Sequence, residues 1–341
     1  MKKKEKNMFS KPGKKIDFFS SGCVLLDCVL SRGRGWAERR IAHITGESGT
    51  GKTELGEEAA IEFLTKYNTG KINYHEIESA FDYDYAESID FPLDMVTFVK
   101  GEKGSPINSV EGLRNSIRKE MNLSVEKGIP ILYILDSLDS IDSDSDDYGK
   151  KQRDLASLFR SIAADMEDTN FTLIIIGQTR VNMKDLFQKY YITGGEALKF
   201  YSTQRLLLTP KGKISTKHKG IERTKGTITK AKSFKNKVGP WPRECVFEIL
   251  DYFGIDDVGS SLKWLNTNED AVDIFKELDI FERIRLKDTE EVSPQRLGNL
   301  INELNSTPNW DLIKSIHAKV IERWNQIEEA IAPTRRKREG R

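Results

Sequence analysis

The sequence predicts an α/β fold with a mostly parallel central sheet, followed by a small helical C-terminal region. Three observations carry this expectation. A glycine-rich phosphate-loop motif sits between an apolar strand and a helical stretch, short β-rich runs alternate with amphipathic ones from about residue 21 to 250, and the pattern turns helical beyond Gly254. Several strands are apolar throughout, among them Ile131–Leu135 and Leu173–Ile176, as a sheet covered on both faces requires.

In chain order, residues 1–20 read as a mobile basic arm, since seven lysines within residues 1–15 face a single acid, Glu5. Parallel strands are expected at Arg40–Thr45, Lys71–Glu76, Met95–Lys100, Ile129–Asp136, Thr172–Gly177 and Arg205–Thr209. Helices are expected at Gly51–Tyr67, Val110–Glu126 and Asp154–Met166. Thr227–Lys232 and Glu244–Leu250 read as further, antiparallel strands. Ser260–Trp264, Glu269–Phe275, Pro294–Leu304 and Asp311–Ile331 look helical. The expected division is an arm at 1–20, an α/β core at 21–257, a helical region at 258–333 and a basic tail at 334–341, the middle two joined through Asp251–Gly259.

At 341 residues the chain has room for one large α/β unit and a smaller appendage. Its 38% hydrophobic and 31% charged residues suit a soluble globular protein, and its longest apolar stretches are far too short to span a bilayer. The Lys-rich start is not followed by an apolar segment, so a cytoplasmic protein without a membrane partner is expected. Cys23, Cys28 and Cys245 lack metal-ligand spacing and read as reduced, buried thiols. The net charge of +1 excludes nothing, but its distribution is uneven. Residues 211–237 hold ten Lys or Arg against one acid, Glu222, and Arg335–Arg338 is basic too. Such runs are solvated surface in most proteins; on a nucleotide-binding chain they also suit nucleic acid.

Gly46-Glu-Ser-Gly-Thr-Gly-Lys-Thr53 fits G-x-x-x-x-G-K-[ST]. Glu47, Ser48, Gly49, Thr50, Gly51, Lys52, Thr53 and Glu54 are therefore the candidate nucleotide-binding residues. The loop amides and the helix N-terminus would cradle phosphate, Lys52 would reach the terminal phosphates, and Thr53 would ligate Mg²⁺. Asp136 ends an apolar strand, the place for a carboxylate on the Mg²⁺ side, although a strand-ending Asp also caps turns. Glu78 follows the next strand and is the candidate general base. Gln178 follows another strand and could sense the terminal phosphate. Taken singly, both are equally accounted for as loop polar residues.

In order and spacing these pieces resemble the RecA family of DNA recombinases, including phage-type members, from about Ser20 to Asp257. Ser21-Gly-Cys-Val-Leu-Leu-Asp27 is similar to the family's S-T-G-x-x-x-L-D entry. Gln178-Thr-Arg180 resembles its Q-x-R, Thr193–Tyr201 its T-G-G-x-A-L-K-F-Y, and Lys235-Asn-Lys237 its K-N-K. The resemblance implies a RecA-like P-loop ATPase core using ATP and Mg²⁺, with Glu78 as catalytic glutamate and Asp82 and Tyr85 holding the adenine. It implies that Lys235 and Lys237 act on a neighbouring subunit's nucleotide, and that Lys199, Phe200 and Arg205 couple subunits, although Phe200 could be a core aromatic. Arg153 and Arg160, seven apart on one helix face, would grip single-stranded DNA with Arg180, Gly194 and Gly195, although both also suit a solvated helix.

The implied function is an ATP-dependent recombinase, a DNA-dependent ATPase that self-associates into a helical filament on single-stranded DNA and pairs it with homologous duplex. The alternatives are a hexameric helicase-type motor and a recombination mediator that switches on ATP without hydrolysing it. Two departures stand out. Only about twenty residues precede Ser21, where family members usually carry a docking helix and strand. The first DNA loop, near Ile141–Lys151, is rich in Asp, and its acids lack the glycine and glutamate of an EF-hand loop. Phe187, Tyr190 and Tyr191 could insert between bases or pack the second loop.

Overall fold

The computed structural model describes residues 15–79, 81–101, 104–142, 148–181, 190–192 and 195–333. Strand β1 (Phe18–Phe19) pairs antiparallel with β2 (Trp36–Ala37), so the expected arm ends in a strand. Phe19 is buried against Phe63, ring centroids 5.2 Å apart. Between them lies α1 (Val24–Ser31), a helix the sequence reading missed. All eight of its residues are buried, polar Asp27 and Ser31 among them, and a run this short gives little helical period to detect.

The rest of the α/β part is β3 (Ile41–Gly46), α2 (Lys52–Lys66), β4 (Lys71–Glu76), α3 (Tyr83–Ser88), β5 (Val96–Phe98), α4 (Val110–Lys127), β6 (Ile131–Asp136), α5 (Tyr148–Asp165) and β7 (Phe171–Val181). Then come β8 (Tyr190–Ile192), α6 (Gly195–Tyr201), β9 (Gln204–His218), β10 (Ile221–Asn236), β11 (Arg243–Leu250) and β12 (Gly254–Asp256). The sheet has ten strands in the order β12-β11-β10-β9-β3-β7-β6-β4-β5, with β8 paired to β7. From β9 to β5 neighbours are parallel, whereas β9, β10, β11 and β12 pair antiparallel. This is the mostly parallel α/β fold that the sequence predicts.

Alternation along each central strand fills two cores. Leu132 and Ile134 face the side of α1 and α2, and Tyr133 and Leu135 face that of α4 and α5. Expected and observed ends differ where local chemistry intervenes. β6 begins after Pro130, and Leu93–Met95 forms a 3-10 turn after Pro92, which shortens β5. β9 and β10 run far past their expected apolar segments. At their joined ends β9 no longer pairs with β3 nor β10 with β11, so residues 215–224 form a two-stranded ribbon with little apolar pattern to read.

Helices α7 (Asp257–Leu265), α8 (Ala271–Glu277), α9 (Phe281–Ile284), α10 (Pro294–Ser306) and α11 (Trp310–Ala330) follow. Leu262, Phe275, Leu300, Val320 and Trp324 belong to the same apolar cluster as α1 and α2. Arg243 on β11 forks onto buried Glu328 of α11, its Nη2 donating at 2.7 Å. The three cysteines are free and buried. Because that cluster is continuous, Phe275→Ala is expected to cost about 3–5 kcal/mol. Urea unfolding should show the loss in one transition; a separate early step for the C-terminal helices would contradict the shared core.

Candidate nucleotide site and its surroundings

Parallel pairing brings the carboxyl ends of β3, β7, β6 and β4 level, with Gly46 opposite Gln178 and Glu76 opposite Asp136. The glycine loop leaves β3 there and enters α2. Gly49 and Gly51 adopt φ of 70° and 85°, left-handed values that favour glycine. A Cβ on Gly51 would also lie 2.0 Å from Ile249.

Ser48, Gly49, Gly51, Lys52, Thr53, Glu54, Glu78, Asp82, Tyr85, Asp136 and Gln178 line one cleft of about 350 Å³. Eleven residues singled out from the sequence thus meet in one place. Glu47 and Thr50 do not line it; they fold the loop on itself, Thr50 Oγ1 donating to the Glu47 carbonyl at 2.8 Å. Lys52 Nζ donates to the same carbonyl at 2.7 Å, and burial depresses its pKa against the pull of Asp136. Thr53 Oγ1 donates to Asp136 Oδ2 at 2.9 Å, and the Tyr74 hydroxyl adds a bond to that oxygen at 3.2 Å. A hydroxyl and a carboxylate so close fit a Mg²⁺ ion completed by phosphate and water. Among the described residues no cluster of three His, Cys, Asp or Glu could hold a metal alone.

Glu78 is oriented from behind, its Oε1 accepting from Ser137 Oγ at 2.8 Å and Ser140 Oγ at 3.1 Å. Asp82 caps α3 by accepting from the Tyr85 amide at 3.0 Å. Gln178 anchors its own amide on Asp139 Oδ2 at 2.7 Å. Three further residues were missed from the sequence. Tyr252 packs near Tyr85, ring centroids 6.4 Å apart and planes tilted by 53°, and so adds a second aromatic beside the cleft. Ser137 is the one orienting Glu78. Glu57, one turn beyond Thr53, lines the cleft while buried, and its Oε2 has no hydrogen-bond partner among the described residues. Burial, then Glu54 and Asp136, push its carboxyl up to about 9.

The K-N-K lysines lie at the other end of the sheet. Lys235 is in register with Arg205 and that residue with His43, while the Lys237 amide donates to Thr203 and the Thr203 amide to Ile41. Five residues separate Ile41 from Gly46, roughly 16 Å of strand. The lysines instead close the carboxyl end of α6: Lys235 Nζ binds the carbonyls of Lys199 and, at 2.7 Å, Phe200. Lys237 Nζ reaches Phe200 O at 3.4 Å. Phe200 is 68% exposed, which removes the alternative of a core aromatic. Arg205 is buried, its guanidinium 4.5 Å from the Phe234 ring centroid, so it acts inside the subunit rather than at a surface.

Arg153 and Arg160 are both exposed on α5, opposite buried Leu155, Leu158 and Phe159, and Arg160 Nε donates to the Tyr201 hydroxyl at 3.1 Å. Gly195 begins α6. Gly194, Phe187, the Arg180, Tyr190 and Tyr191 side chains, the acids from 143 to 147 and the basic tail lie outside the described residues. Among the described residues no helix is long and apolar enough to cross a membrane.

The fold and cleft are those of a P-loop protein, with the glycine loop, Asp136, Glu78 and Gln178 gathered at the carboxyl ends of parallel strands. The chain belongs to the RecA family: the RecA N-terminal domain matches residues 5–256. That match starts ahead of Ser20, where the motif resemblance begins. Protein RecA of Streptococcus agalactiae serotype III (strain NEM316) is 26% identical over 328 residues, which span 85% of this chain and 83% of that protein. Protein RecA of Streptococcus pneumoniae (strain Hungary19A-6) is 27% identical over 328 residues, spanning 85% and 81%. These bacterial relatives lend no support to a phage-type assignment.

A carboxyl whose pKa is raised on folding favours the folded state least once pH has passed that raised value. Nucleotide-free Glu57→Gln should therefore stay close to wild type near pH 4.5, gain stability up to about pH 9, and keep a constant advantage above it. Urea unfolding across that range checks this, and a flat difference would contradict the buried carboxyl.

Proposed function

We propose that the chain is an ATP- and Mg²⁺-dependent DNA recombinase. It assembles into a helical filament on single-stranded DNA, in the cytoplasm, and pairs that strand with homologous duplex. RecA-family proteins are in general ATPases of recombination and repair, and family membership supports that chemistry here. The observation that carries the reading is the split of charge. Lys52, Thr53, Glu78, Asp136 and Gln178 share one cleft, while Lys235 and Lys237 sit outside it at the far end of the sheet. Lysines so placed suit a nucleotide held by a neighbouring subunit better than the one in their own cleft.

On this reading Lys52 exchanges the Glu47 carbonyl for phosphate oxygens, and the loop amides hold the rest. Thr53 and Asp136 hold Mg²⁺, which supplies neutralisation of the phosphate charge. Glu78, held by Ser137 and Ser140, accepts a proton from the attacking water, and phosphate leaves ADP. The neighbour's Lys235 and Lys237 neutralise the charge that develops, as arginine fingers do. Asp82 and Tyr85, with Tyr252 nearby, hold the adenine. Gln178 reports the terminal phosphate to the DNA-facing segment that begins at Arg180. Arg153, Arg160, Gly194 and Gly195 complete the single-strand contact. Base pairing supplies the sequence specificity, so binding should weaken by about 0.7 log units per phosphate contact per log unit of salt.

The decisive measurement is ATP hydrolysis with and without single-stranded DNA, with negative-stain imaging of the same sample. Stimulated turnover and helical filaments are expected. Six-membered rings alone would point to a helicase-type motor, and background turnover at saturating DNA to a mediator that switches without hydrolysis. Lys52→Ala should lose nucleotide-dependent DNA binding. Mixing Glu78→Gln subunits, which supply lysines, with Lys235→Ala/Lys237→Ala subunits, which supply an intact cleft, should restore turnover that neither has alone; no rescue would exclude a shared site.

Burial, with Lys237 and Arg205 adding repulsion, brings Lys235 down to about 8. Its charge is present below that pH and lost above it. The kcat/KM for ATP should therefore fall as pH rises through about 8, and Lys235→Arg, which stays charged, should move the fall upward. An unmoved alkaline limb would take Lys235 out of the reaction.

A further inference from the structure

The two halves of the proposed site belong to one subunit but serve different nucleotides, and a run of buried polar side chains lies between them. His43 is fully buried at the middle of β3, between β7 and β9. Its Nδ1 accepts from Arg205 Nε at 3.3 Å. Burial and the nearby guanidinium hold the imidazole in its neutral form, so its single proton sits on Nε2. That N–H is buried and has no partner among the described residues. It faces Gly177, where a Cβ would come 3.1 Å from Nε2 and 3.6 Å from Asp139 Oδ2. That Asp139 oxygen already accepts the amide of Gln178, the residue at the phosphate cleft. Beyond His43 the run continues through Arg205, in register with Lys235, to the ammonium that closes α6.

A buried donor left without a partner is unstable, and here an acceptor stands just across a residue that has no side chain. We propose that His43 is a positioning residue that links a subunit's own phosphate sensor to the lysines it offers its neighbour. The inference rests on the shared-site reading above. When Gln178 is drawn to the terminal phosphate, the end of β7 moves at Gly177, and His43 Nε2–H closes onto Asp139. The imidazole then pulls on Arg205, and Arg205 repositions the strand carrying Lys235. A subunit thereby offers its lysines fully only when its own cleft holds ATP. The link is one contact with two states, made or open, which both sites bias. Gly177 is the residue that permits it, because any Cβ there would stand between donor and acceptor.

The mixed-subunit experiment tests the link directly. Donor subunits carry Glu78→Gln, alone or with Gly177→Ala or His43→Phe; acceptors carry Lys235→Ala/Lys237→Ala. Donor ATP binding and ATP-dependent binding to single-stranded DNA are measured alongside. Rescue by the double-variant donors should fall about fivefold or more, with both donor binding properties unchanged. Lys52→Ala donors, which hold no nucleotide, should rescue as poorly as the Gly177→Ala ones. Equal rescue by donors with and without Gly177→Ala would overturn the link and leave the shared site standing. No rescue by Glu78→Gln donors alone would overturn the shared site and the link with it. If His43→Phe does not fold, Gly177→Ala decides, since it leaves His43 and its bond to Arg205 in place.

Discussion

Every feature of the cleft depends on the parallel pairing of β3, β7, β6 and β4. Their backbone groups are buried and must bond to one another, and their side chains are almost wholly excluded from water. A slip of one residue in any pair would turn Ile134 and Ile174 toward the opposite core and bring Tyr133 and Leu173 in their place. Register is thus fixed by residues with no chemical role. It sets Asp136, Gln178 and the loop after Gly46 at one level, and the Thr53–Asp136 hydrogen bond joins helix to sheet there.

β9 is where the sheet changes character. On one side it runs parallel to β3; on the other it turns back into β10. The same strand that extends the parallel sheet therefore leads to Lys235 level with His43 and Lys237 level with Ile41, away from the phosphate loop. Topology alone separates the two sets of cations, and it leaves Arg205 and His43 packed between them. Neither can face water where it sits, so their polar atoms must find partners inside.

Much of this was legible in the chain because it obeys local rules. The phosphate loop declares itself by spacing, and Asp136 and Gln178 by ending apolar runs. Other residues carry no such mark. Glu57 looks like any helical glutamate until α2 turns it into the cleft, and Tyr252 lies in a turn far from Tyr85 in sequence. His43 alternates within β3 as a polar residue between apolar ones, the pattern of a half-exposed strand, yet a second layer of helices covers it. Arg205 was read as coupling subunits because the family resemblance groups it with Lys199 and Phe200, and only its place within β9 reveals that it is buried. α1 was missed because it is short and buried on every side, and the length of the β9–β10 ribbon because pairing, not burial, sustains it.

The charges around the cleft bind these parts together. Glu54, Glu57, Glu78, Asp82 and Asp136 line it, and Lys52 is its one cationic side chain among the described residues. Burial already disfavours the ionised forms of Glu57 and Asp136 and the protonated form of Lys52, so the cleft's own side chains leave its charge unsettled. Adding a nucleotide triphosphate brings still more negative charge. One lysine and a helix N-terminus offset only part of it at short range. On the proposed reading the balance comes from Mg²⁺ and from the two lysines of the next subunit, the cations this subunit cannot bring to its own nucleotide. Binding of nucleotide and association of subunits then stabilise each other by the same free energy, whichever comes first. On that reading, a chain that keeps these lysines away from its own cleft makes assembly a condition of holding ATP well.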